Sequence, residues 1–452
     1  MANPLFLPEL REMLAENNRA ELEEFCTTLH PARTADFLEG LEPSEIWAVL
    51  AHTELPRRVE IFHYFELARQ AEIVEQLPQQ EVAELVASLA ADDRVDLLNN
   101  VSPEVVEGLL PLLTSEDRRD ILHLRSYPEG TAGAMMTTEF AKLSETLTVS
   151  QALDELRPQA EHLETIYYLY IVDDQDHLRG LVSARQLVSA MGRPATTLKE
   201  LMETEVVTAL VTDDQEEVAQ RVARYDLLAI PVVDSVHKML GIITHDDVMD
   251  VVRVEATEDA HRSAAVAPLT ESYLRTSLWT LSWKRGVWLA ILFVGSLATA
   301  SALSHYERDL KNWEWLVLFI PMVISCGGNT GNQSATLIIT GLTSGDLSPS
   351  EWRRILLREL ILGVCLGLCL GGIGLMEALV LADEARQSLG ILVVPLTILI
   401  VVTCGALCGS LLPLLFRKLG LDPALMSNPF VAGLMDIMGI IIYMQVAQAL
   451  LT

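Results

Sequence analysis

An aspartate stands in the middle of an apolar run near the C-terminus, in Phe430-Val-Ala-Gly-Leu-Met-Asp436-Ile-Met-Gly439. An ionised carboxylate at such a depth is costly unless it faces water or a partner. The interiors of the long apolar stretches hold no Lys or Arg, so an internal ion pair is ruled out. Two chemistries remain: the carboxylate holds a cation, or it stays protonated and bonds a neighbouring helix. Gly433 and Gly439 flank it at three residues on either side, which allows close approach of backbone or ion. A second polar interruption is Ser325-Cys-Gly-Gly-Asn329-Thr-Gly-Asn332-Gln333-Ser334. Three glycines and three amides inside an apolar stretch suit the lining of a wet path, where amides and carbonyls hold a hydration shell. Close helix packing is the competing reading of the glycines. Pro321 just before this run predicts a kink, and the run itself predicts a broken span. A third feature is acidic: the helix predicted from 246 through Ala265 carries Asp246, Asp247, Asp250, Glu255, Glu258 and Asp259 against Arg253 and Arg262. Like charges at this spacing repel, and divalent cations would relieve the repulsion; a solvated acidic linker is the plainer alternative.

Those residues must be positioned by a chain of 452 residues, 50% hydrophobic, with 62 Asp+Glu against 32 Lys+Arg. That length implies about three domains. The charge is unevenly spread: residues 1–270 hold 21 basic and 50 acidic residues, and residues 271–452 hold 11 and 12. So acidic a front half repels nucleic acid and attracts cations. Six cysteines are too few for a disulfide scaffold. The first 30 residues carry no signal-peptide pattern, and the N-terminal part is expected in the cytoplasm.

Residues 31–125 repeat with a period of 12. An acid and an apolar pair recur at Asp36, Glu60, Glu72, Glu84, Asp96 and Asp120, with units at 48 and 108 that keep only the apolar pair. Pro31, Pro43 and Pro103 precede their units by five residues, where proline opens a helix. Short helices stacked as a superhelical array are predicted, apolar pairs inward and acids outward. Residues 135–250 hold a different repeat. Tyr168-Leu-Tyr170-Ile-Val-Asp173 is matched by Ala229-Ile-Pro231-Val-Val-Asp234, and Gly180-Leu-Val-Ser183 by Gly241-Ile-Ile-Thr244. Each half reads strand, helix, strand, turn, strand, helix.

Five long apolar spans follow, near 286–304, 315–342, 356–382, 389–416 and 424–451. With the N-terminus inside, five spans put the C-terminus outside. The flanks agree: eight basic residues, Arg275, Lys284, Arg285, Arg353, Arg354, Arg358, Arg417 and Lys418, fall inside, and three, Arg308, Lys311 and Arg386, fall outside. Glu359 next to Arg358 reads as an interfacial pair.

The 135–250 repeat resembles a tandem pair of cystathionine-β-synthase (CBS) domains. That resemblance implies a pseudo-twofold module with an adenosine nucleotide in its cleft. Gly241-Ile-Ile-Thr244-His-Asp-Asp247 matches the nucleotide pattern, whereas the first half has Gln186 in place of the acid. At most one site is implied, with Thr244, Asp247, Tyr170 and Pro231 as its residues; Thr244 also suits a plain helix cap. The whole order, acidic helical repeat, CBS pair, acidic connecting helix and five spans with Pro321…Gly327-Gly-Asn-Thr-Gly-Asn-Gln333 and Asn428-Pro-Phe…Asp436…Gly439, resembles the MgtE family of magnesium transporters.

The resemblance implies a homodimeric, Mg²⁺-selective, channel-like protein of the cell membrane, with a pore on the dimer axis. Its fold would be multidomain. An all-α superhelical N-terminal domain occupies 1–130, the α/β CBS pair 131–250, the plug helix 246–270 and a polytopic α-helical pore domain 271–452. Asp436 would be the central ion-binding residue, with Asn428, Asn332, Asn329, Gly433 and Gly439 near the path. The acidic connecting helix would act as a Mg²⁺ sensor that holds the pore shut. Its residues would be Asp247, Asp250, Glu255, Glu258 and Asp259, joined by Asp92, Asp93, Asp96 and Glu60 of the helical array. ATP on the CBS pair would strengthen that response. The chemistry is compatible: Mg²⁺ keeps its water and meets few carboxylates.

Two other readings compete. A softer-metal transporter would use Cys365/Cys369 or Cys404/Cys408, each an i,i+4 pair; passage of Co²⁺ or Mn²⁺ through a Mg²⁺ pore is the milder form of that reading. A nucleotide-sensing membrane receptor would carry no ion and have no use for Asp436. Nothing in the chain suggests catalysis, since P-loop, zinc and nucleophile-elbow signatures are missing.

Overall fold

In the computed structural model, residues 6–160, 163–269, 273–274, 276–381, 389–423 and 426–452 are described. Arg275 and Arg386, counted above for loop charge, lie outside them. The chain forms two compact units, Met1–Val252 and Arg253–Thr452.

The first unit opens with α1 (Leu7–Ala15) and α2 (Arg19–Thr28). Eight helices follow: α3 (Pro31–Leu38), α4 (Pro43–Leu50), α5 (Leu55–His63), α6 (Leu67–Glu75), α7 (Gln79–Ala87), α8 (Ala91–Asn100), α9 (Pro103–Leu109) and α10 (Ser115–Leu124). Their first residues keep the 12-residue step of the sequence repeat throughout. Twelve residues give about two helical turns and a connector, so each helix packs on the next but one: α3 on α5, α4 on α6, α6 on α8, α8 on α10. The repeated apolar pairs Ile61/Phe62, Ile73/Val74, Leu85/Val86 and Leu97/Leu98 are buried. The preceding acids Asp36, Glu60, Glu72, Glu84 and Asp96 are exposed. Asp120 departs from the pattern: it is half-buried and accepts a hydrogen bond from Thr138 Oγ1 at 2.7 Å.

A second repeat signal was not read from the sequence. Arg58, Arg94 and Arg118 each stand fourth in their helix. Arg58 donates to the carbonyls of Leu50 and Thr53, Arg94 to Val86 and Leu89, and Arg118 to Leu110 and Leu113. Each guanidinium thus satisfies carbonyls left open at and just beyond the end of the preceding helix. Arg94 is the most buried of them, at 3% exposed. Replacing it with methionine keeps the stem and orphans those carbonyls, so Arg94→Met should cost about 3 kcal/mol. Chemical denaturation followed through the 91–124 helices checks this; an unchanged midpoint would refute the capping role.

The rest of the first unit is two α/β halves. The first has β1 (Phe140–Ser144), β2 (Thr165–Val172) and β3 (Leu178–Ser183) in the order β1-β2-β3; the second has β4 (Ala209–Leu210), β5 (Ala229–Val233) and β6 (Met239–Thr244) in the order β4-β5-β6. In each, the first strand pairs parallel and the last antiparallel to the middle one. The helices are α11 (Ala132–Met135), α12 (Val149–Leu156), α13 (Ala184–Ser189), α14 (Leu198–Leu201), α15 (Gln215–Tyr225) and the start of α16 (His245–Ser263), whose residues from Arg253 on belong to the second unit. Tyr170 and Val172 share one buried cluster with Ala229, Val233 and Ile242, so the halves are packed together.

The second unit has five long helices: α17 (Leu278–His305), then, after the short α18 (Glu307–Asn312), α19 (Ile320–Thr343), α20 (Trp352–Leu381), α21 (Val393–Lys418) and α22 (Asn428–Leu451). Four of the five are long and apolar enough to cross a membrane by length and composition. The fifth, α19, carries the amide run. Contrary to the expectation of a broken span, α19 is continuous over 24 residues, and Pro321 stands in its first turn, where no hydrogen bond is lost. Its glycines explain why. A Cβ on Gly405 of α21 would lie 2.7 Å from the Gly327 carbonyl oxygen, and one on Gly409 would lie 2.2 Å from that of Gly331. Two glycine pairs at i,i+4 therefore bring α19 and α21 backbone to backbone, which small residues permit in lipid. Gly363, Gly367 and Gly371 of α20 meet the Thr403, Leu399 and Pro395 backbone of α21 in the same way.

Candidate functional site

The glycines and the amides of α19 have separate jobs because they lie on separate faces. Gly327, Gly328 and Gly331 are buried; Ser325, Asn329, Gln333, Thr336 and Thr340 are exposed at helical spacing, with Asn332 half-buried beside them. This polar stripe runs along α22, which packs antiparallel to α19. Thr336 Oγ1 donates to Asn428 Oδ1 at 3.2 Å. A Cβ at Gly328 would lie 3.6 Å from Ala432 Cα, and one at Gly439 would lie 4.0 Å from Ile324 Cα. Along this seam Thr336 and Asn428 come first, then Asn332 and Asn329, then Ser325 at the level of Asp436.

Asp436 is half-buried, and no described residue hydrogen-bonds or ion-pairs with it. Asn329 Nδ2 donates to Ser325 Oγ at 3.1 Å. Asn332 Oδ1 is buried without a partner. The two flanking glycines differ. A Cβ at Gly433 would meet nothing within 4 Å, so this position is open, whereas Gly439 is buried against Val323, Val401 and the Ile324 backbone. Gly439 is a packing contact between helices. Ser325 and Thr336 were missed in the sequence; their i,i+4 and i,i+7 spacing from Asn329 was the available signal.

The nine acidic sensor candidates divide between the units. In the first, Asp92, Asp93 and Asp96 lie on α8 and Asp247 in the first turn of α16. One Asp92 oxygen is buried without a hydrogen-bond partner. Burial first, then the charges of Asp247, Asp93 and Glu164, push the Asp92 carboxyl well above the usual carboxylate range. Glu164 is pushed up to about 7, by burial and then by Asp247, Asp246 and Asp93. Asp247 is raised to about 6, chiefly by burial, against the lowering effect of its Thr244 hydrogen bond. Asp96, exposed in its accessible surface yet closely surrounded by protein, is raised to about 6 by desolvation, then by Asp93 and Asp247. These carboxylates form one repelling group that also takes in Glu164 and Asp246, which sequence reading did not assign to it. His63 Nδ1 lies 2.7 Å from Asp93 Oδ2, and that hydrogen bond raises the His63 pKa, favouring the charged ring beside the group. Glu60 stands apart, paired with Arg57 at 2.9 Å, and Asp250 is exposed.

In the second unit, Glu255, Glu258 and Asp259 lie on the later turns of α16. Arg262 forms ion pairs with Glu258 and with Asp422, in the connection between α21 and α22. Asp259 is raised to about 6 by burial and by Asp422 and Glu255. Among the described residues no three His, Cys, Asp or Glu side chains are close enough to hold one metal ion directly. Contact through retained water is the arrangement Mg²⁺ prefers. The cysteine pairs do not gather either: Cys365 and Cys369 are exposed on α20, while Cys404 and Cys408 are half-buried on α21.

Raised carboxyl pKa values fix the sign of a pH effect. A carboxyl that titrates near 6–7 in the folded unit and near 4 when unfolded penalises the ionised fold, so stability falls as pH rises between those values. Amide exchange of α8 and the start of α16, corrected for intrinsic rate, should therefore quicken from pH 5.5 to pH 7.5, and Mg²⁺ at pH 7.5 should slow it again. Corrected protection that is flat with pH would contradict the cluster.

The nucleotide candidates are tied into the fold. Thr244 Oγ1 donates to Asp247 Oδ2, closing the first turn of α16, and Ser183 Oγ makes the matching bond to Gln186 at 2.8 Å. Gln186 thus caps its helix as Asp247 does in the second half. Tyr170 and Pro231 are buried in β2 and β5, within the sheets instead of at an open cleft. Tyr170 Oη is buried without a partner. The surface pair expected for Glu359 and Arg358 is not formed: Glu359 is buried, 8% exposed, and accepts from Ser334 Oγ at 2.6 Å, while Arg358 is exposed.

A helical bundle with a polar seam and an unpaired carboxylate, joined in one chain to an acidic α-helical array and a CBS pair, defines a polytopic membrane transporter for cations. Residues 320–446 match the family model described as a divalent cation transporter, residues 29–130 the MgtE intracellular N domain, and residues 132–193 and 198–254 the CBS domain. The magnesium transporter MgtE of Thermus thermophilus is 39% identical over 445 residues, 98% of each chain. That of Enterococcus faecalis is 35% identical over 74% of this chain and 72% of its own. That of Bacillus subtilis is 32% identical over 79% and 78%. Among solved structures, the soluble part of a magnesium transporter is 33% identical, with a TM-score of 0.51, over 55% of this chain and 97% of its own. The cytosolic domain of the Mg²⁺ channel MgtE in complex with ATP is 35% identical, with a TM-score of 0.51, over 54% and 98%. The chain belongs to the MgtE family of magnesium transporters.

Proposed function

We propose that this magnesium transporter works as a homodimeric, Mg²⁺-selective channel for magnesium uptake, with Asp436 as the central ion-binding residue. The observation that carries this is the α19–α22 seam: Asn428, Asn332 and Asn329 strung towards a half-buried Asp436 that has no partner among the described residues. A second copy would double that carboxylate across a twofold axis. Two carboxylates acting through retained water suit a hard, hydrated cation and still release it. Gly433 leaves room beside the path. Conduction of Co²⁺ or Mn²⁺ is the broader version of the same reading.

The chain is read as four parts: an N-terminal domain over 1–130, the CBS pair over 131–250, a connecting helix over 246–270 and a membrane part over 271–452. The first two face the cytoplasm, and with five spans the C-terminus lies outside. Cytosolic Mg²⁺ closes the channel by neutralising Asp92, Asp93, Asp96 and Asp247, with Glu255, Glu258 and Asp259 as a second group. Closing and Mg²⁺ binding then favour each other equally. The CBS pair takes one adenosine nucleotide, a reading supported by the related cytosolic domain in complex with ATP; binding there would release Thr244 and Asp247 from each other. The test is Mg²⁺ uptake into proteoliposomes at low and high Mg²⁺ on the cytoplasmic face. Uptake that shuts off at high Mg²⁺ is expected, and no flux from folded protein under any condition would bring the receptor reading forward.

A further inference from the structure

Glu359 is the one acidic side chain that is buried among the described residues, and nothing assigned above uses it. It lies on α20 and accepts from Ser334 Oγ of α19, which is itself 6% exposed. No described basic group pairs with it. A carboxyl buried in an apolar bundle is strongly disfavoured unless it has directed bonds, so its presence needs a reason that leucine at the same place would not meet.

The neighbouring packing supplies one. The α19–α21 contact is glycine on glycine, Gly327 and Gly331 against Gly405 and Gly409. Such faces carry few side-chain knobs to set how far a helix is turned about its axis. Ser334 follows one turn after Gly331 on this buried side. The polar stripe of Asn329, Asn332 and Thr336 lies on the opposite side of the same helix. A directional bond at Ser334 therefore sets where that stripe points. We infer that Glu359 is a positioning residue for permeation: its bond to Ser334 fixes the rotation of α19 and holds Asn329, Asn332 and Thr336 towards the ion path. This inference rests on reading the α19–α22 seam as that path.

The test uses the full-length protein, folded and monodisperse, in proteoliposomes, comparing Mg²⁺ and Ca²⁺ flux for Glu359→Gln, Glu359→Leu, Ser334→Ala and the pair Ser334→Ala with Glu359→Leu. Loss of one buried hydrogen bond predicts an Mg²⁺ flux lower by about tenfold for Glu359→Leu and Ser334→Ala, with a reduced Mg²⁺/Ca²⁺ ratio. Glu359→Gln, which still accepts from Ser334, should stay within about twofold, and the double variant should be no worse than the worse single, as one shared bond requires. Wild-type flux and selectivity in Ser334→Ala and Glu359→Leu would overturn the inference, as would Glu359→Gln failing like Glu359→Leu. Asp436→Asn is run alongside: if it conducts normally, the ion path itself has been misplaced, which is a separate failure.

Discussion

Asp436→Asn should lower Mg²⁺ uptake by about a hundredfold while the protein stays folded. Asparagine keeps the shape of the side chain and removes only the charge. A divalent ion about 5 Å from a carboxylate, held through water at an effective dielectric of about 40, gains about 3 kcal/mol, which corresponds to roughly that factor. No second charge compensates, because every Lys and Arg of the five long helices stands within eight residues of a helix end and no described group is bonded to Asp436. Asp436→Glu should retain part of the flux with altered selectivity. Uptake by Asp436→Asn within twofold of wild type, measured on equal amounts of folded protein, would remove this residue from the ion path.

The second large effect concerns closure. Replacing Asp92 and Asp247 together by Asn should collapse the ratio of uptake at low to uptake at high internal Mg²⁺ by about tenfold, since coupling of this kind is typically about 1–3 kcal/mol. The direction needs care, because each carboxylate both attracts Mg²⁺ and repels its neighbours. Neutralising two of them weakens Mg²⁺ binding and also eases the repulsion that Mg²⁺ would have relieved. Closure thereby loses its dependence on Mg²⁺ instead of merely shifting to a higher concentration. Asn at 247 can still accept from Thr244, so the first turn of α16 is kept. A full Mg²⁺ response in the double variant would place the sensor elsewhere, with Glu255, Glu258 and Asp259 next to be tested.

Much of the first unit was legible because its period is local. The 12-residue repeat runs through α3 to α10, and the paired motifs at 168 and 229 fall in β2 and β5. Hydrophobic runs likewise gave the five long helices. What sequence misjudged shares one physical cause: a residue type states what it needs, and only a neighbour far away in the chain decides whether the need is met. Asn-and-glycine content pointed to a broken span, but Gly405 and Gly409, more than 70 residues on, turn the same glycines into a close helix contact that keeps α19 continuous. Glu359 was given to Arg358 beside it, yet its partner is Ser334 on another helix. Glu164 had no motif at all and joined the acidic group through the fold.

The sequence by itself determined the parts and their order, the lack of a basic partner for Asp436 within the apolar runs and the acidity of the cytoplasmic half, because composition and periodicity are properties of neighbours in the chain. The tertiary structure alone decided which side of α19 is polar seam and which is packing, which carboxylates repel one another and which are bonded, because these depend on distances between helices that no local pattern encodes.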